Sequence, residues 1–148
     1  MHFLCEPICT VPVELPVEFT TIQDLLTDEP ACRVLWDLVS SQFSTRSKFL
    51  AIWAGVRYAV LHRDESGAVN GFLLITTPVN WQLDYVVVCD RARGQGIASA
   101  LVRTALNEAC RRRVPYVMLS AAASLRPLYE ACGFVPVPAS SLSPPSPS

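Results

Sequence analysis

The sequence has little charge and no long apolar run. Only 17% of its 148 residues are charged, below the roughly 25% of an average soluble domain, whereas 51% are hydrophobic. No apolar stretch approaches the roughly 18 residues that can span a bilayer. The formal net charge of −1 gives no global field that would attract nucleic acid or an anionic membrane. We therefore expect one soluble domain whose excess apolar surface forms a core, a binding groove or a subunit interface.

Paired-cysteine and metal-binding motifs are also missing. The six cysteines include no C-x-x-C pair, and no histidine lies at zinc-finger spacing from them. A site built from His2, Cys5 and Cys9 would lack the fourth ligand of tetrahedral zinc. We therefore predict no metal site, and reduced, mostly buried thiols in a cytoplasmic protein.

Proline is concentrated at the two ends of the chain. Eight of the twelve prolines lie within the first nineteen or the last thirteen residues. Pro7, Pro12 and Pro16 would interrupt an apolar helix, and no basic leader precedes them, so we expect no signal peptide. We predict an irregular N-terminal arm over residues 1–16, a single domain that ends at residue 138, and a disordered Ser/Pro tail over 139–148.

Between these ends, strand patterns give way to a helix and a strand. Short apolar segments bounded by turn residues predict strands over 17–21, 56–63, 71–77 and 81–89, the last three as an antiparallel meander. A wide apolar helical stripe begins at Ile97, and a buried type of strand follows over 116–120. Such a βαβ unit makes the strands before and after the helix parallel. Shorter helices are predicted to start at Asp28, to run from Thr45 or Ser47 to Trp53, and to cover 124–132, before a short last strand over 134–137. The fold class is therefore α+β, with three layers: a mixed, mostly antiparallel central sheet, one crossover and flanking helices.

The most informative segment joins the central strand to the crossover helix, and it reads Asp90-Arg-Ala-Arg-Gly-Gln-Gly-Ile-Ala-Ser99. Gly94 and Gly96 flank the helix start, where backbone N–H groups lack intrahelical partners and glycine lets a ligand approach them. The helix dipole and the charges of Arg91 and Arg93 favour an anion. The segment therefore predicts a site for phosphate or pyrophosphate.

Three other interpretations of this turn compete. The P-loop pattern G-x-x-x-x-G-K-[ST] is absent. Gly94–Ser99 nearly matches the dinucleotide fingerprint G-x-G-x-x-G, but no acidic residue follows about 20 positions later, in Met118–Ala123. The glycines could also simply form a tight turn.

Two motifs resemble those of the GNAT N-acetyltransferase superfamily. Arg93-Gly-Gln-Gly96-Ile-Ala98 matches the R/Q-x-x-G-x-G/A signature, and it lies between a strand and a helix as in that family. Further on, Leu128-Tyr129-Glu-Ala-Cys-Gly133-Phe134 is similar to the L-Y-x-x-x-G-F signature. The resemblance is strong over residues 71–136, extends only to element order over 17–63, and is absent at both ends.

The resemblance implies a GNAT fold and direct transfer of an acetyl group from acetyl-CoA to a primary amine on a small molecule or a peptide. It implies that backbone groups of Val86 and Val88 pair with the pantetheine arm of the cosubstrate. Tyr129 would protonate the departing thiolate, and the N–H of Val88 would stabilise the oxyanion. The residues that would hold the pyrophosphate are Arg93, Gly94, Gln95, Gly96, Ile97, Ala98 and Ser99.

The amine must lose a proton before it attacks, and Asp84 is the candidate base, directly or through water. Period-two alternation along the strand puts Asp84 on the same face as Val86 and Val88. The alternative is a solvated aspartate near a turn, and His62 is a second candidate base. Tyr129, likewise, could be an ordinary core aromatic.

Several other features fit simpler roles. Arg111-Arg112-Arg113 suits a helix C-terminus better than a nucleic-acid contact. Cys89 and Cys132 flank the predicted site and could carry an acyl group, although direct transfer is usual in the resembled family. The three tryptophans are expected in the core, although Trp81 could line the acceptor groove.

The sequence departs from the family pattern in two places. Ala121–Ser124 lacks the Asn that many relatives have there, and only Val135–Pro138 remains where many relatives have a long last strand. Because proline removes sheet hydrogen bonds, we expect that strand to be short or at an edge. The acceptor side would then be open, or closed by a second subunit in a homodimer.

These features together predict a metal-independent, acetyl-CoA-dependent N-acetyltransferase whose acceptor the sequence does not name. The main rival is a module that binds acyl-CoA without turnover, or that serves in interactions. A dinucleotide-binding regulator is the third class.

Overall fold

The chain forms one mixed sheet with helices on both faces. A computed structural model describes residues 1–8, 13–42, 46–76 and 80–137, so the predicted Ser/Pro tail lies outside the described residues. The strands are β1 (His2–Cys5), β2 (Val17–Thr21), β3 (Val56–Arg63), β4 (Val69–Thr76), β5 (Trp81–Val88), β6 (Val117–Ser120) and β7 (Val135–Val137). The helices are α1 (Ile22–Thr27), α2 (Glu29–Gln42), α3 (Arg46–Trp53), α4 (Ile97–Arg111) and α5 (Arg126–Ala131).

The order of the strands is β2-β3-β4-β5-β6-β1-β7. The predicted meander is confirmed, because β3, β4 and β5 pair antiparallel in sequence. The predicted crossover is confirmed as well, because β5 and β6 pair in parallel and α4 connects them. The predicted α+β class, with its mixed sheet and flanking helices, is therefore correct.

The two faces of the sheet are covered by different helices. On one face, α4 buries the apolar stripe that the sequence predicts, which includes Leu101, Val102 and Ala105. On the other face, α1 and α2 contribute Leu25, Leu35 and other side chains to a second core cluster. The sheet is thus sandwiched between two apolar layers, and β5 runs through its middle.

The start of α2 is fixed as predicted by an aspartate cap. Asp28 Oδ1 accepts a hydrogen bond of 3.1 Å from the N–H of Ala31, and Asp28 Oδ2 lies 3.0 Å from the guanidinium of Arg63. The Ala31 hydrogen bond and then Arg63 lower the pKa of Asp28. Arg63 also pairs with Glu18 at 2.8 Å, so one arginine links β2, β3 and the start of α2.

The predicted irregular arm over residues 1–16 is wrong for His2–Cys5, which forms β1. This strand pairs antiparallel with both β6 and β7. Its burial alternates with period two: Phe3 and Cys5 are buried, whereas His2 and Leu4 are half-buried. A four-residue segment ahead of the first proline is too short to be recognised without its partners, and both partners lie more than a hundred residues away.

The last strand is short and lies at the edge of the sheet, as predicted. β7 contains three residues and pairs with β1. β1 lies between β6 and β7 in the sheet, and β7 is an edge strand. The expectation of a homodimer stays a prediction, since an edge strand leaves backbone groups unpaired.

The cysteines only partly follow the prediction of reduced thiols. Cys5, Cys32, Cys89 and Cys132 are free, whereas Cys110 is disulfide-bonded. The prediction is therefore wrong for Cys110, because spacing along the chain does not show which cysteines the fold brings together.

Among the helices of the described residues, none has the length and apolarity needed to cross a bilayer.

Candidate active site

The central strand β5 is interrupted by a β-bulge at Tyr85. Phe72 of β4 lies opposite Val87, and Leu74 lies opposite Asp84, so one residue of β4 faces two residues of β5. Tyr85 takes up the extra length with a φ of 55°. Bulges of this kind redirect side chains and are frequent beside active sites.

Because of this bulge, Asp84 lies on the opposite face of the sheet from the one predicted. Asp84 lies opposite Leu74, which belongs to the core cluster on the α2 face. Val86 and Val88 pack against the cluster on the α4 face. The prediction that all three share one face is therefore wrong, because the inserted residue shifts the period-two alternation between Asp84 and Val86.

Beyond the bulge, β5 has an open edge. It pairs with β6 only over Trp81–Leu83, so the two parallel strands separate from Asp84 onward. The N–H of Cys89 donates to the carbonyl of Asn70 on the β4 side at 2.8 Å, and alternation along the ladder turns the N–H and C=O of Val88 toward the open side. The Val88 carbonyl there accepts a hydrogen bond of 3.1 Å from Gln42 Nε2.

A cavity of about 530 Å³ lies beside this edge and the turn before α4, and we name it the turn cavity. Of the predicted cofactor-binding residues, all but Gln95 line it; Gln95 is exposed in the turn. The lining residues are Gln42, Val86, Val88, Ala92, Arg93, Gly94, Gly96, Ile97, Ala98, Ser99, Leu125, Leu128 and Tyr129.

The start of α4 gives the turn cavity a positive end. Gly96 caps the helix in the left-handed conformation, with a φ of 74° and no side-chain cap, so the first N–H groups of the helix have no intrahelical partner. Arg93 lies 3.1 Å from the carboxylate of Asp90 and 3.0 Å from Gln42 Oε1. The arrangement offers backbone donors, the helix dipole and a guanidinium to an anion.

A second cavity of about 750 Å³ lies on the other side of the open edge, and we name it the strand cavity. Asp84 lines it, and both of its oxygens accept hydrogen bonds: one from Thr76 Oγ1 at 3.1 Å and one from Gln82 Nε2 at 3.4 Å. The lining residues are Ala51, Ile52, Gly55, Thr76, Gln82, Leu83, Asp84, Tyr85, Val86, Leu119, Ser120, Ala121, Ala122, Leu125 and Tyr129.

Tyr129 is held in place by the segment that resembles L-Y-x-x-x-G-F. Gly133 ends α5 with a φ of 102°, and the Tyr129 carbonyl accepts hydrogen bonds of 3.0 Å from the N–H groups of Cys132 and Phe134. The chain reversal brings the Phe134 ring to 6.0 Å from the Tyr129 ring, and the Phe3 ring of β1 lies 5.5 Å away. The motif therefore fixes the tyrosine by backbone geometry and ring packing together.

The Tyr129 phenol keeps its proton at neutral pH. The side chain is only 4% exposed, and burial, followed by the nearby Cys132, raises the pKa of Tyr129 to about 12. Tyr129, Val86 and Leu125 line both cavities. A residue with a protonated phenol is thus shared by the turn cavity and the strand cavity that contains Asp84.

The remaining sequence candidates do not line either cavity. His62 is buried and hydrogen-bonds with Asn70. Cys89 and Cys132 are absent from both linings, and Cys132 Sγ lies 3.7 Å from Ser99 Oγ. Trp81 is buried and stacks on Phe19 in the core.

The arginine triplet Arg111-Arg112-Arg113 lies at the C-terminal end of α4. Arg112 hydrogen-bonds with Glu108 at 3.1 Å, and its guanidinium lies 4.9 Å from the centre of the Tyr58 ring. These contacts agree with a role at the C-terminal end of α4.

Within the described part of the chain, no three His, Cys, Asp or Glu side chains form a group that could hold a metal ion.

Several residues that line the turn cavity belong to no sequence motif. Gln42 ends α2 and has no motif around it, and Leu125 lies in a single 3-10 turn over Ala123–Leu125. Leu125 lies only three residues before the second signature, outside the residues that the signature names. Gln42 reaches the site from a distant part of the chain, and a single-sequence pattern carries no signal for such a contact because it records only local periodicity.

Comparisons with known proteins agree with this geometry. A family model described as "Acetyltransferase (GNAT) domain" matches residues 54–136. No curated protein matches the chain.

Solved structures of similar fold include three acetyltransferases. One is a GCN5-related N-acetyltransferase from Sphaerobacter thermophilus, with 23% identity, a TM-score of 0.66, and coverage of 90% of this chain but only 47% of that one. Another is glucosamine-6-phosphate N-acetyltransferase from Arabidopsis thaliana, with 17% identity, a TM-score of 0.61, and coverage of 82% and 93%. The third is IAA acetyltransferase from Bacillus cereus, with 18% identity, a TM-score of 0.63, and coverage of 80% and 77%.

At these identities the structures show a shared fold, whereas the family match rests on the sequence itself. That match contains both motifs: the turn with Gly94 and Gly96, and the segment with Tyr129 and Gly133. The chain therefore belongs to the GNAT family of acetyltransferases.

Proposed function

We propose that the protein transfers an acetyl group from acetyl-CoA directly to a primary amine. The observation that carries this proposal is the junction of the two cavities at Tyr129. The turn cavity offers donors for a pyrophosphate, the strand cavity contains a carboxylate, and a protonated phenol lies between them.

The residues of the turn cavity fit acetyl-CoA. The open edge of β5 at Val86 and Val88 can pair with the amides of the pantetheine arm, as Gln42 Nε2 already does with the Val88 carbonyl. The first N–H groups of α4 and Arg93 would hold the pyrophosphate. A Cβ on Gly96 would meet no protein atom within 4 Å, so the space beside this glycine is free for a ligand.

Three groups would then carry the chemistry. Asp84 accepts a proton from the ammonium form of the acceptor, directly or through water, and the amine nitrogen attacks the thioester carbonyl carbon. The N–H of Val88 donates to the developing oxyanion. As the C–S bond breaks and the C–N bond is retained, Tyr129 gives its proton to the sulfur. The positively charged nitrogen then loses its second proton through water to the Tyr129 phenolate, and Asp84 releases its proton to solvent.

Direct attack is favoured over an acyl-enzyme. An acyl-enzyme would need a nucleophile exposed to both substrates. Neither Cys89 nor Cys132 lines either cavity, and among the described residues no Cys or Ser lines both. The amine and the thioester can instead meet at the junction itself.

The cysteines bear on the compartment of the protein, and the edge of the sheet bears on its assembly state. The four free cysteines favour a cytoplasmic location, whereas the Cys110 disulfide opposes it. A homodimer through the edge strand β7 stays a proposal.

Calorimetry and product analysis together test the proposed function. We expect the protein to bind acetyl-CoA and not NAD, and to produce acetylated amine and CoA when a panel of primary amines is supplied and the products are measured by mass spectrometry. Binding without turnover of any amine would indicate the non-catalytic acyl-CoA module. Preferential binding of NAD would indicate the dinucleotide-binding regulator.

A variant of Asp84 adds a mechanistic control to this experiment. Asp84→Asn should lower kcat/KM at neutral pH and lose less activity at high pH, where more of the acceptor is already deprotonated. Asp37→Asn removes an exposed carboxylate on α2 that lines neither cavity, and it should behave like the wild type. Equal activity of Asp84→Asn and wild type at neutral pH would remove Asp84 from the mechanism.

A further inference from the structure

Gln42, the last residue of α2, contacts the same groups of the turn cavity that the proposed function gives to acetyl-CoA. We infer that the Gln42 side chain is an intramolecular competitor of the cosubstrate: it holds these groups in the free protein and releases them when acetyl-CoA binds. This inference rests on the proposed function, which needs the groups for the pantetheine arm and for the pyrophosphate.

The amide of Gln42 bridges a strand and a turn. Its Nε2 donates to the Val88 carbonyl of β5 at 3.1 Å, and its Oε1 accepts a hydrogen bond of 3.0 Å from the guanidinium of Arg93. Gln42, Val88 and Arg93 all line the turn cavity. One side chain thus spans the open edge of β5 and the positive end of the cavity, which are the two places where the cosubstrate would be held.

The chemistry of both contacts can be reproduced by acetyl-CoA. The pantetheine arm contains amide N–H groups, so it can donate to the Val88 carbonyl as the Gln42 amide does. At Arg93, the single neutral oxygen of Gln42 would be replaced by charged phosphate oxygens, which can bind a guanidinium in a bidentate manner. The cosubstrate can therefore take over both hydrogen bonds, and it forms a stronger contact at Arg93.

Arg93 does not depend on Gln42 for its place at the turn. Its guanidinium also lies 3.1 Å from the carboxylate of Asp90, so it keeps a protein partner when Gln42 leaves. Gln42 is half-buried at the end of a helix, where a side chain can change its rotamer without moving the core. Displacement of Gln42 therefore leaves the cosubstrate groups in position, whereas its two contacts in the free protein oppose binding.

Calorimetry with CoA tests the inference without any acceptor. Gln42→Ala removes both contacts from the free protein. We expect its Kd for CoA to be about two- to tenfold lower than that of the wild type, the effect of about one neutral hydrogen bond. Gln23→Ala removes the same side chain from an exposed position of α1 that lines neither cavity, and it should bind CoA like the wild type.

ADP shows which of the two contacts is exchanged. It carries a pyrophosphate but no pantetheine arm, so it competes with Gln42 at Arg93 and not at the Val88 carbonyl. The factor by which Gln42→Ala lowers the Kd should therefore be larger for CoA than for ADP. An equal factor for the two ligands would show that the Val88 carbonyl is not exchanged, and the inference would be wrong.

The outcomes separate this inference from the proposed function. If Gln42→Ala binds CoA only as tightly as the wild type, or more weakly, Gln42 does not compete with the cosubstrate; the inference is then wrong and the proposed function stands. If the wild-type protein does not bind CoA or acetyl-CoA, the proposed function fails and this inference fails with it.

Discussion

At the scale of single residues, burial gives the Tyr129 side chain a fixed position and a retained proton. Its ring lies between those of Phe3 and Phe134, and its pKa is raised to about 12. Replacement by phenylalanine keeps the ring and removes only the proton donor. We expect Tyr129→Phe to lower kcat by about 10²–10⁴, the usual range for a general acid, with little change in the Kd for acetyl-CoA measured by calorimetry.

Tyr116→Phe is the matched control, since Tyr116 is 38% exposed and lines neither cavity. An unchanged kcat in Tyr129→Phe would show that Tyr129 is only a core aromatic.

The dependence of Tm on pH gives a second test of the Tyr129 proton. The Tyr129 pKa is raised from 10.0 to about 12, so between these values the unfolded chain loses this proton while the folded chain keeps it. Wild-type Tm should therefore fall more steeply from pH 10 to pH 12 than that of Tyr129→Phe.

Residues with a motif around them could be predicted, and residues without one could not. The glycine turn identified the region of Gly96, and the second signature identified Tyr129. The face on which Asp84 lies was mispredicted, because a bulge depends on how β4 pairs with β5 and leaves no mark in the alternation of side chains. Gln42 reaches the site from the end of α2, far from either signature.

At the scale of secondary-structure elements, the start of α4 combines a left-handed glycine with free backbone donors. Gly96 has a φ of 74°, and a Cβ there would meet no protein atom within 4 Å. A leucine at this position would therefore not clash with the protein, and because Gly96 lines the turn cavity we expect the side chain to compete with a ligand there. We expect Gly96→Leu to abolish acetyl-CoA binding in calorimetry and to lower the free energy of unfolding by about 1–2 kcal/mol through left-handed strain.

Gly67 provides a control with nearly the same backbone conformation. Its φ is 87°, its Cβ position is also free of neighbours, and it lies in the turn between β3 and β4 rather than at either cavity. Gly67→Leu should lower the free energy of unfolding by a similar amount and bind acetyl-CoA like the wild type. Retained affinity in Gly96→Leu would remove the argument that this turn holds the pyrophosphate.

At the scale of the whole molecule, the middle of the fold could be predicted and its first strand could not. The meander and the crossover consist of neighbouring elements with short connections or a strong helical stripe, so local patterns define them. β1 is four residues long and pairs with Val117–Ser120 and Val135–Val137 at the opposite end of the chain. Only the completed sheet gives such a segment its partners.

The first strand should matter for stability and for catalysis together. Phe3 is fully buried, lies opposite Leu119 and Pro136 in the sheet, and contacts the Tyr129 ring at 5.5 Å. Truncation at Phe3 leaves a cavity beneath the proposed acid. We expect Phe3→Ala to lower the free energy of unfolding in urea by about 3–5 kcal/mol, and to lower kcat in the fraction that remains folded, because Tyr129 loses one of its two ring contacts.

Ile8→Ala is the control from the same part of the chain. Ile8 is 69% exposed, and its truncation should change the free energy of unfolding by no more than about 0.5 kcal/mol. If Phe3→Ala were as stable as Ile8→Ala, the N-terminal segment would not be packed in the sheet as β1, and the argument that β1 helps to hold Tyr129 would fail with it.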